Sequence, residues 1–400
     1  MTDGLASALD SLAVDNIYVY VADALRWDHL PGSIADRGAV SKTIAASIHS
    51  PTSFASLVTG RHLPSHGVTE FSRRVPASME TLFNLAGGNT RFVNTIGVAG
   101  SADPIFSVLG IEPNELSHPF DGLSEPFVSM ERGQGGHAPY GGFDGTAKEY
   151  FGARRESTVE RLREEYRRGV ERDADHFLDR LRDLETEGLL DRTLVIYTSD
   201  HGELLGEGGM FGHNGPIRPE HVSVPTVFVH PSIDAGQDGG LFRHVDLLPT
   251  IADVLDESVS ASGYDGRSIR AEGDVTAGCS FYHKEHALGP LSSTPATSYA
   301  SVWDESGGHV FTRSPWYERL VGLGGSLTMG VERPFARRRL PAAFRSYMRD
   351  ETTYGTPRTS TEEARETLAR VTNGDRLDGG DSVALSRDAR EHLRNMGYLE

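Results

Sequence analysis

The chain has 400 residues and a net charge of −18, with 57 acidic against 39 basic residues. That acidity argues against a nucleic-acid partner, because a phosphate backbone needs a cationic footprint. No apolar run reaches 18 residues, so no membrane span is predicted, and a lone cysteine, Cys279, rules out an internal disulfide and fits a reducing interior.

Residues 1–15 are polar and acidic, with neither a basic start nor an apolar stretch, and predict a cytoplasmic protein. Ile17 to Val21 then read as a strand that ends at Asp23. A helix is expected near 53–59 and a second strand near 92–97. Residues 100–150 are rich in Gly, Pro and Ser and read as a long loop near the active site. Apolar positions Val159, Leu162, Tyr166, Val170, Phe177, Leu181 and Leu184 recur at helical spacing within 156–187. Leu194 to Tyr197 form a buried-strand run, followed by Asp200 and His201; a strand near 225–229 and a helix near 246–256 complete the pattern. Over residues 1–270 this alternation predicts an α/β domain, a largely parallel sheet with helices on both faces. Residues 271–345 predict a small antiparallel α+β unit, with a hairpin of Ala300–Trp303 and His309–Thr312 around Asp304–Gly308. Residues 346–400 read as a polar tail, disordered over 346–382 and ending in a short helix.

The chemistry collects at two strand ends. Ligands in open α/β sheets gather beyond the carboxyl ends of strands, and there the sequence places Asp23, Asp200 and His201. A single strand-end Asp is more often a helix or turn cap; a second site with two further ligand types favours a shared metal. His213 follows a Gly-rich loop able to fold back over the same spot, weighed against an ordinary loop histidine among 16 in the chain. Asp173, Asp175 and His176 lie in the long helical pattern and read as solvated or sheet-packing polar residues.

A third segment, Ser50-Pro-Thr-Ser-Phe-Ala-Ser-Leu-Val-Thr-Gly-Arg followed by Pro64-Ser-His-Gly-Val, completes a pattern with the later Thr198-Ser-Asp-His-Gly-Glu. Together these resemble the sulfatase branch of the alkaline phosphatase superfamily. Smaller matches run with it: His244-Val-Asp-Leu-Leu-Pro-Thr, Tyr264-Asp-Gly-Arg-Ser-Ile and Leu393-Arg-Asn-Met-Gly-Tyr-Leu. The resemblance implies an alkaline phosphatase-like fold and a hydrolase of a sulfate or phosphate ester, with a phospho-group transferase or phosphodiesterase as the alternative and a catalytically inactive binding protein on this fold as the alternative of another class. It implies Asp23, Asp200 and His201 as metal ligands and Ser50 as the metal-held nucleophile, with Thr52 and Ser53 in reserve. It also implies His213 as a contact to substrate oxygen or an acid toward the leaving group, and Arg61, His62 and His66 as support for the helix of Ser50.

The departures matter as much. Pro51 stands one place early, and Phe54 occupies the position where sulfatases that form formylglycine carry Arg, so Ser50 is expected to remain a plain serine. No second Asp follows Asp23, and no further metal-binding set stands out. One divalent metal ion is expected; a donor set of mostly oxygen suits Mn, Mg or Ca more than Zn. The substrate is then a small anionic ester, drawn in by local charge against the overall field. Only Lys42, Lys148 and Lys284 are lysines, a composition like that of proteins from salt-loaded cytoplasm.

Overall fold

A computed structural model describes residues 3–95, 103–114, 116, 118–236, 238–257, 263–286, 294–372 and 380–396. The principal strands of its larger sheet are β1 (Asn16–Ala22), β2 (Ala39–Ile44), β3 (Thr90–Asn94), β4 (Val128–Gly133), β5 (Thr193–Thr198), β6 (Ser223–Val229) and β7 (Asp238–Arg243). They lie in the order β7-β2-β6-β5-β1-β4-β3. All neighbours are parallel except those of β6, which runs antiparallel to both β2 and β5. The expected α/β sheet is present.

Alternation along β1 explains why both faces are covered. Ile17, Val19 and Val21 enter one core with Phe54, Leu57 and Val58 of α1 (Ser50–Thr59) and Leu247, Leu248 and Ile251 of α3 (Leu247–Val254). Tyr18, Tyr20 and Ala22 enter the other, against Leu162, Tyr166 and Phe177 of α2 (Val159–Thr186). A central strand buried on both sides shows a continuous apolar run, which is why β1 and β5 were readable.

Two expectations need correction. Residues 100–150 are not one long loop: within them β4 pairs with β1 at the centre of the sheet, Ile17 opposite Val128 and Ala22 opposite Gly133. Its Glu131 and Arg132 are almost wholly buried and break the apolar pattern. Burial of Glu131 is made possible by Tyr18, His176 and Arg180, whose side chains all bond its carboxylate. Residues 346–382 are also not uniformly disordered. The second sheet is an antiparallel meander of β8 (Gly278–Glu285), β9 (Ala296–Trp303), β10 (Gly307–Thr312) and β11 (Glu351–Gly355), so the C-terminal unit extends past 345. A helix over Thr361–Thr372 then buries Ala364 and Leu368 beside Phe281 and Ala300. Both elements were hidden by polarity, one as an edge strand and one as a helix burying only two side chains. The predicted hairpin is present as β9–β10. The terminal helix spans Arg387–Met396 and sinks Leu393 into the main core; residues 397–399 of the terminal motif lie outside the described residues. No described helix is long and apolar enough to cross a membrane.

Candidate metal centre and active site

Parallel pairing of β1 and β5 sets Val21 opposite Thr198. Two residues beyond that pair on each strand stand Asp23 and Asp200, so register alone brings the carboxylates level at the sheet's carboxyl edge. The chain then turns sharply at Ala24, a non-glycine residue with φ of 56°. That left-handed turn, a strained conformation for an L-residue, aims the Ala24 N–H at Asp200 Oδ1, 3.1 Å away. The same oxygen accepts from the His201 N–H at 2.9 Å. Gly135 packs against the backbone of Asp23; it has φ of +52°, and a Cβ there would lie 2.1 Å from the Asp23 carbonyl oxygen. The glycine loop after β4 therefore does border the site, as its position in the sequence suggested.

His201 donates Nδ1–H to the Gly202 carbonyl oxygen at 3.0 Å, since a carbonyl can only accept. This fixes its lone pair on Nε2, which lies 3.0 Å from Ser50 Oγ, 3.4 Å from Asp200 Oδ2 and 4.0 Å from Asp23 Oδ1. Ser50 is the first residue of α1, with Pro51 in the first turn, where its missing N–H is no loss. The other hydroxyls are used elsewhere: Thr52 donates to the Val68 carbonyl and Ser53 to the Ser47 carbonyl. Of the three candidate hydroxyls, Ser50 is the one brought to His201. His66 Nε2 meets Ser56 Oγ at 3.0 Å while its Nδ1 accepts from the Val68 N–H, holding α1 to the next turn.

Asp23 Oδ1 and Asp200 Oδ2 are buried and have no hydrogen-bond partner. Buried carboxylate oxygens are normally paired or bound to metal. Among the described residues, Asp23, Asp200 and His201 are the one group of three potential ligands whose donor atoms lie within 4.8 Å of one another. The residues present fit a divalent cation.

Charge around them is arranged by residues that sequence patterns did not single out. Arg132 bridges Asp23 Oδ2 and Asp103 Oδ2, each at 2.6 Å, and its guanidinium lies 5.4 Å over the ring of Phe54. Burial pushes the Asp23 carboxyl up, but Arg132, His137 and His201 more than offset it and hold it below the usual range. Asp200 is raised, by burial first and the charge of Asp23 second. His213, as expected, folds back: its ring centroid is 4.3 Å from that of His201. His213 Nδ1 meets Glu203 Oε2 at 2.9 Å, and Glu203 Oε1 accepts from Tyr140 OH at 2.8 Å. Burial drives Glu203 well above the ordinary carboxyl range. Burial and neighbouring histidines drive His213 well below the ordinary imidazole range. Both shifts favour a neutral pair, with a Glu203 carboxyl donating to Nδ1 and the ring proton on Nε2. Next door, Lys284 Nζ donates to Asn214 Oδ1 at 3.1 Å. In a chain with three lysines, one placed in a strand pattern was the available signal for it.

Asp173 and His176 turn out to be sheet-packing contacts, accepting from Tyr20 OH and meeting Glu131 respectively, while Asp175 is exposed.

The sulfatase family profile matches residues 63–257. The low-salt glycan biosynthesis sulfotransferase Agl7 of Haloferax volcanii is 30% identical over 402 residues, covering 96% of both chains. The chain belongs to the sulfatase family. Solved structures of this superfamily share its fold at low identity. A 2-O GAG sulfatase superposes with a TM-score of 0.55 at 17% identity, covering 75% of this chain and 83% of the other. A phosphonate monoester hydrolase from Silicibacter pomeroyi gives 0.55 at 16%, covering 76% and 87%. Sulfatase-family enzymes normally use a divalent metal, and this chain has a buried Asp/Asp/His group able to hold one.

Proposed function

We propose that the chain transfers a sulfuryl group from an anionic ester donor to a sugar hydroxyl, through Ser50. The observation that carries this reading is the Ser50 hydroxyl 3.0 Å from His201 Nε2, beside two buried carboxylate oxygens without partners. Asp23, Asp200, His201 and Ser50 would hold one divalent cation, Mn, Mg or Ca before Zn. When bound, that cation supplies positive charge to the sulfate oxygens and lowers the pKa of the serine hydroxyl.

The protein's own residues divide the remaining work. Ser50 Oγ, its proton released to solvent, attacks sulfur, forming an O–S bond as the bond from sulfur to the leaving oxygen breaks. His213 Nε2–H donates to that leaving oxygen as the Glu203 carboxyl passes its proton to His213 Nδ1, and Lys284, bonded to the Asn214 next to His213, would add positive charge toward the anionic group. The acceptor hydroxyl then attacks sulfur, giving its proton to His213 Nε2 as the Nδ1 proton returns to Glu203, and the bond from sulfur to Ser50 Oγ breaks, with Ser50 regaining a proton from solvent. A serine ester has no second hydroxyl on its carbon through which to expel sulfate, so it must be resolved by attack at sulfur. An ordered sugar acceptor does this better than diffusing water. Similarity to a sulfotransferase along nearly the whole chain supports transfer over the hydrolysis expected from motifs alone.

The test is turnover of an aryl sulfate, an aryl phosphate and an aryl phosphodiester, with and without a monosaccharide acceptor, with and without chelator. Transfer requires that acceptor speed aryl release and that sulfate appear on the sugar. Aryl release that ignores acceptor, with all sulfate recovered free, would make the enzyme a hydrolase. Preference for either phosphate ester would move the reading to phosphoryl chemistry, and no turnover would leave a binding protein.

A further inference from the structure

The six large apolar side chains that stand exposed among the described residues are Trp316, Tyr317, Leu320, Met329, Leu340 and Phe344. They fall within 29 consecutive positions of a 400-residue chain. These positions form α4 (Trp316–Thr328), α5 (Arg333–Arg338) and α6 (Leu340–Tyr347). Singly scattered exposed apolar residues need no explanation, but the concentration of these six in one helical segment does. Trp316, Tyr317 and Leu320 share one face of α4, while Arg319, Gly322 and Leu323 turn inward. Arg319 pairs with Asp350 at 2.6 Å and Ser326 bonds Tyr347 at 2.8 Å, which ties α4 to the end of α6 and the residues just past it. The outward side of α6 carries Leu340, Pro341 and Phe344, continuing into Met348, with Arg345 and Arg349 alongside.

Charge identifies the occupant. Residues 316–349 contain seven arginines and two glutamates, a surplus of +5 in a chain of −18, so the rest carries −23. One of the two glutamates, Glu332, is driven up to about 7 by burial and presents little negative charge. Arg337, Arg338, Arg339, Arg345 and Arg349 are exposed, Arg338 pairing with Glu156 at 2.7 Å and Arg337 donating to the Leu327 carbonyl at 2.7 Å. Aromatic and aliphatic side chains bordered by cations, on helices lying flat against the body, are the composition of an interfacial membrane helix. A symmetric contact with a second copy would set arginines against arginines.

We propose that α4–α6 dock the protein on an anionic lipid bilayer, with Trp316, Leu320 and Phe344 in the headgroup boundary and the arginines on lipid phosphates. The same element holds the loop that leads to His213: Ser346 Oγ donates to the Gly208 carbonyl at 3.1 Å and Arg339 to that of Gly206 at 3.3 Å. Docking thus places the site's glycine-rich loop beside the membrane surface. Trp316 reports it directly. It is 63% exposed, whereas Trp303 is 2% exposed and Trp27 is partly covered.

The experiment is flotation of the full chain with phosphatidylglycerol or phosphatidylcholine vesicles, followed by tryptophan emission, at low and high salt. Flotation with phosphatidylglycerol vesicles and a blue shift that Trp316→Phe abolishes are expected. Leu320→Ser and Phe344→Ser should each weaken partitioning about tenfold. Arg345→Glu with Arg349→Glu should remove the preference for anionic lipid, which high salt should also reduce. Turnover of a soluble ester should stay unchanged in all of them, since none touches the site. Absence of flotation overturns the proposal. So does a dimer by ultracentrifugation that Phe344→Ser dissociates, which would assign the patch to a second copy, and so does equal binding to both lipids at low salt.

Discussion

Replacing Asp200 with asparagine should move stability in opposite directions with and without metal. The side chain is fully buried, its Oδ1 accepts two backbone N–H groups, and its Oδ2 has no partner. Asparagine keeps the Oδ1 acceptor and places an NH2 where Oδ2 stood, close to the negative Asp23. In chelator this removes a repulsion and an unsatisfied buried atom, worth about 1–3 kcal/mol. With an unfolding entropy of about 2.1 cal/mol/K per residue, the whole chain changes by roughly 0.8 kcal/mol per degree. The variant should therefore melt about 1–4 °C above the parent in chelator. Saturating cation reverses the order. At a hundredfold excess over its dissociation constant it stabilises the parent by about 2.7 kcal/mol, or about 3 °C, and the variant, lacking a ligand, gains little. The assay is calorimetry at pH 8 with chelator, Mn, Mg or Ca, paired with elemental analysis of the purified proteins. A variant that melts below the parent in chelator, or binds the same metal with the same increment, would refute the assignment of Asp200.

Other residues give separate readouts. Ser50→Ala should lose turnover by several orders of magnitude while keeping its fold, and Thr52→Ala should lose little, its hydroxyl being bound to Val68; mass spectrometry of the parent should show Ser50 as unmodified serine. His213→Ala should impair alkyl esters by about 10²–10⁴-fold and nitrophenyl esters far less, with metal content unchanged; equal losses on both would make it only a binding contact. Arg132→Lys should behave nearly like Arg132→Met in melting, because a single ammonium cannot span the two carboxylates that the guanidinium bridges; full stability in the lysine variant would sink this reasoning. Asp173, pushed up to about 6 by burial, binds its proton more tightly folded than unfolded. Its contribution to stability is complete below pH 4 and fades as pH rises through 6, by about 3 kcal/mol. Asp173→Asn should remove that slope from urea titrations between pH 4 and 7, and an unchanged slope would point to other groups.

What could be read from the sequence, and what could not, follows from how far apart the deciding partners are. β1 and β5 announce themselves because each carries its apolar residues and its terminal carboxylate within nine positions, and their parallel register then delivers Asp23 and Asp200 to one height. β4 lies between β1 and β3 yet reads as loop, because Glu131 and Arg132 look like surface residues until Arg180 and Asp23, 49 and 109 positions away, are seen to neutralise them. The choice among Ser50, Thr52 and Ser53 was open for the same reason: local spacing gives three hydroxyls, and only the carbonyls of Val68 and Ser47 remove two of them. His213 was within reach of pattern, ten residues past Glu203 on a glycine loop, but the hydrogen bond between those two residues was not, since nothing in that spacing forces the loop to close. Apolar periodicity thus locates the strands that carry the candidate ligands, whereas buried charge, which tunes those side chains, becomes legible only through contacts that the chain makes with itself at long range.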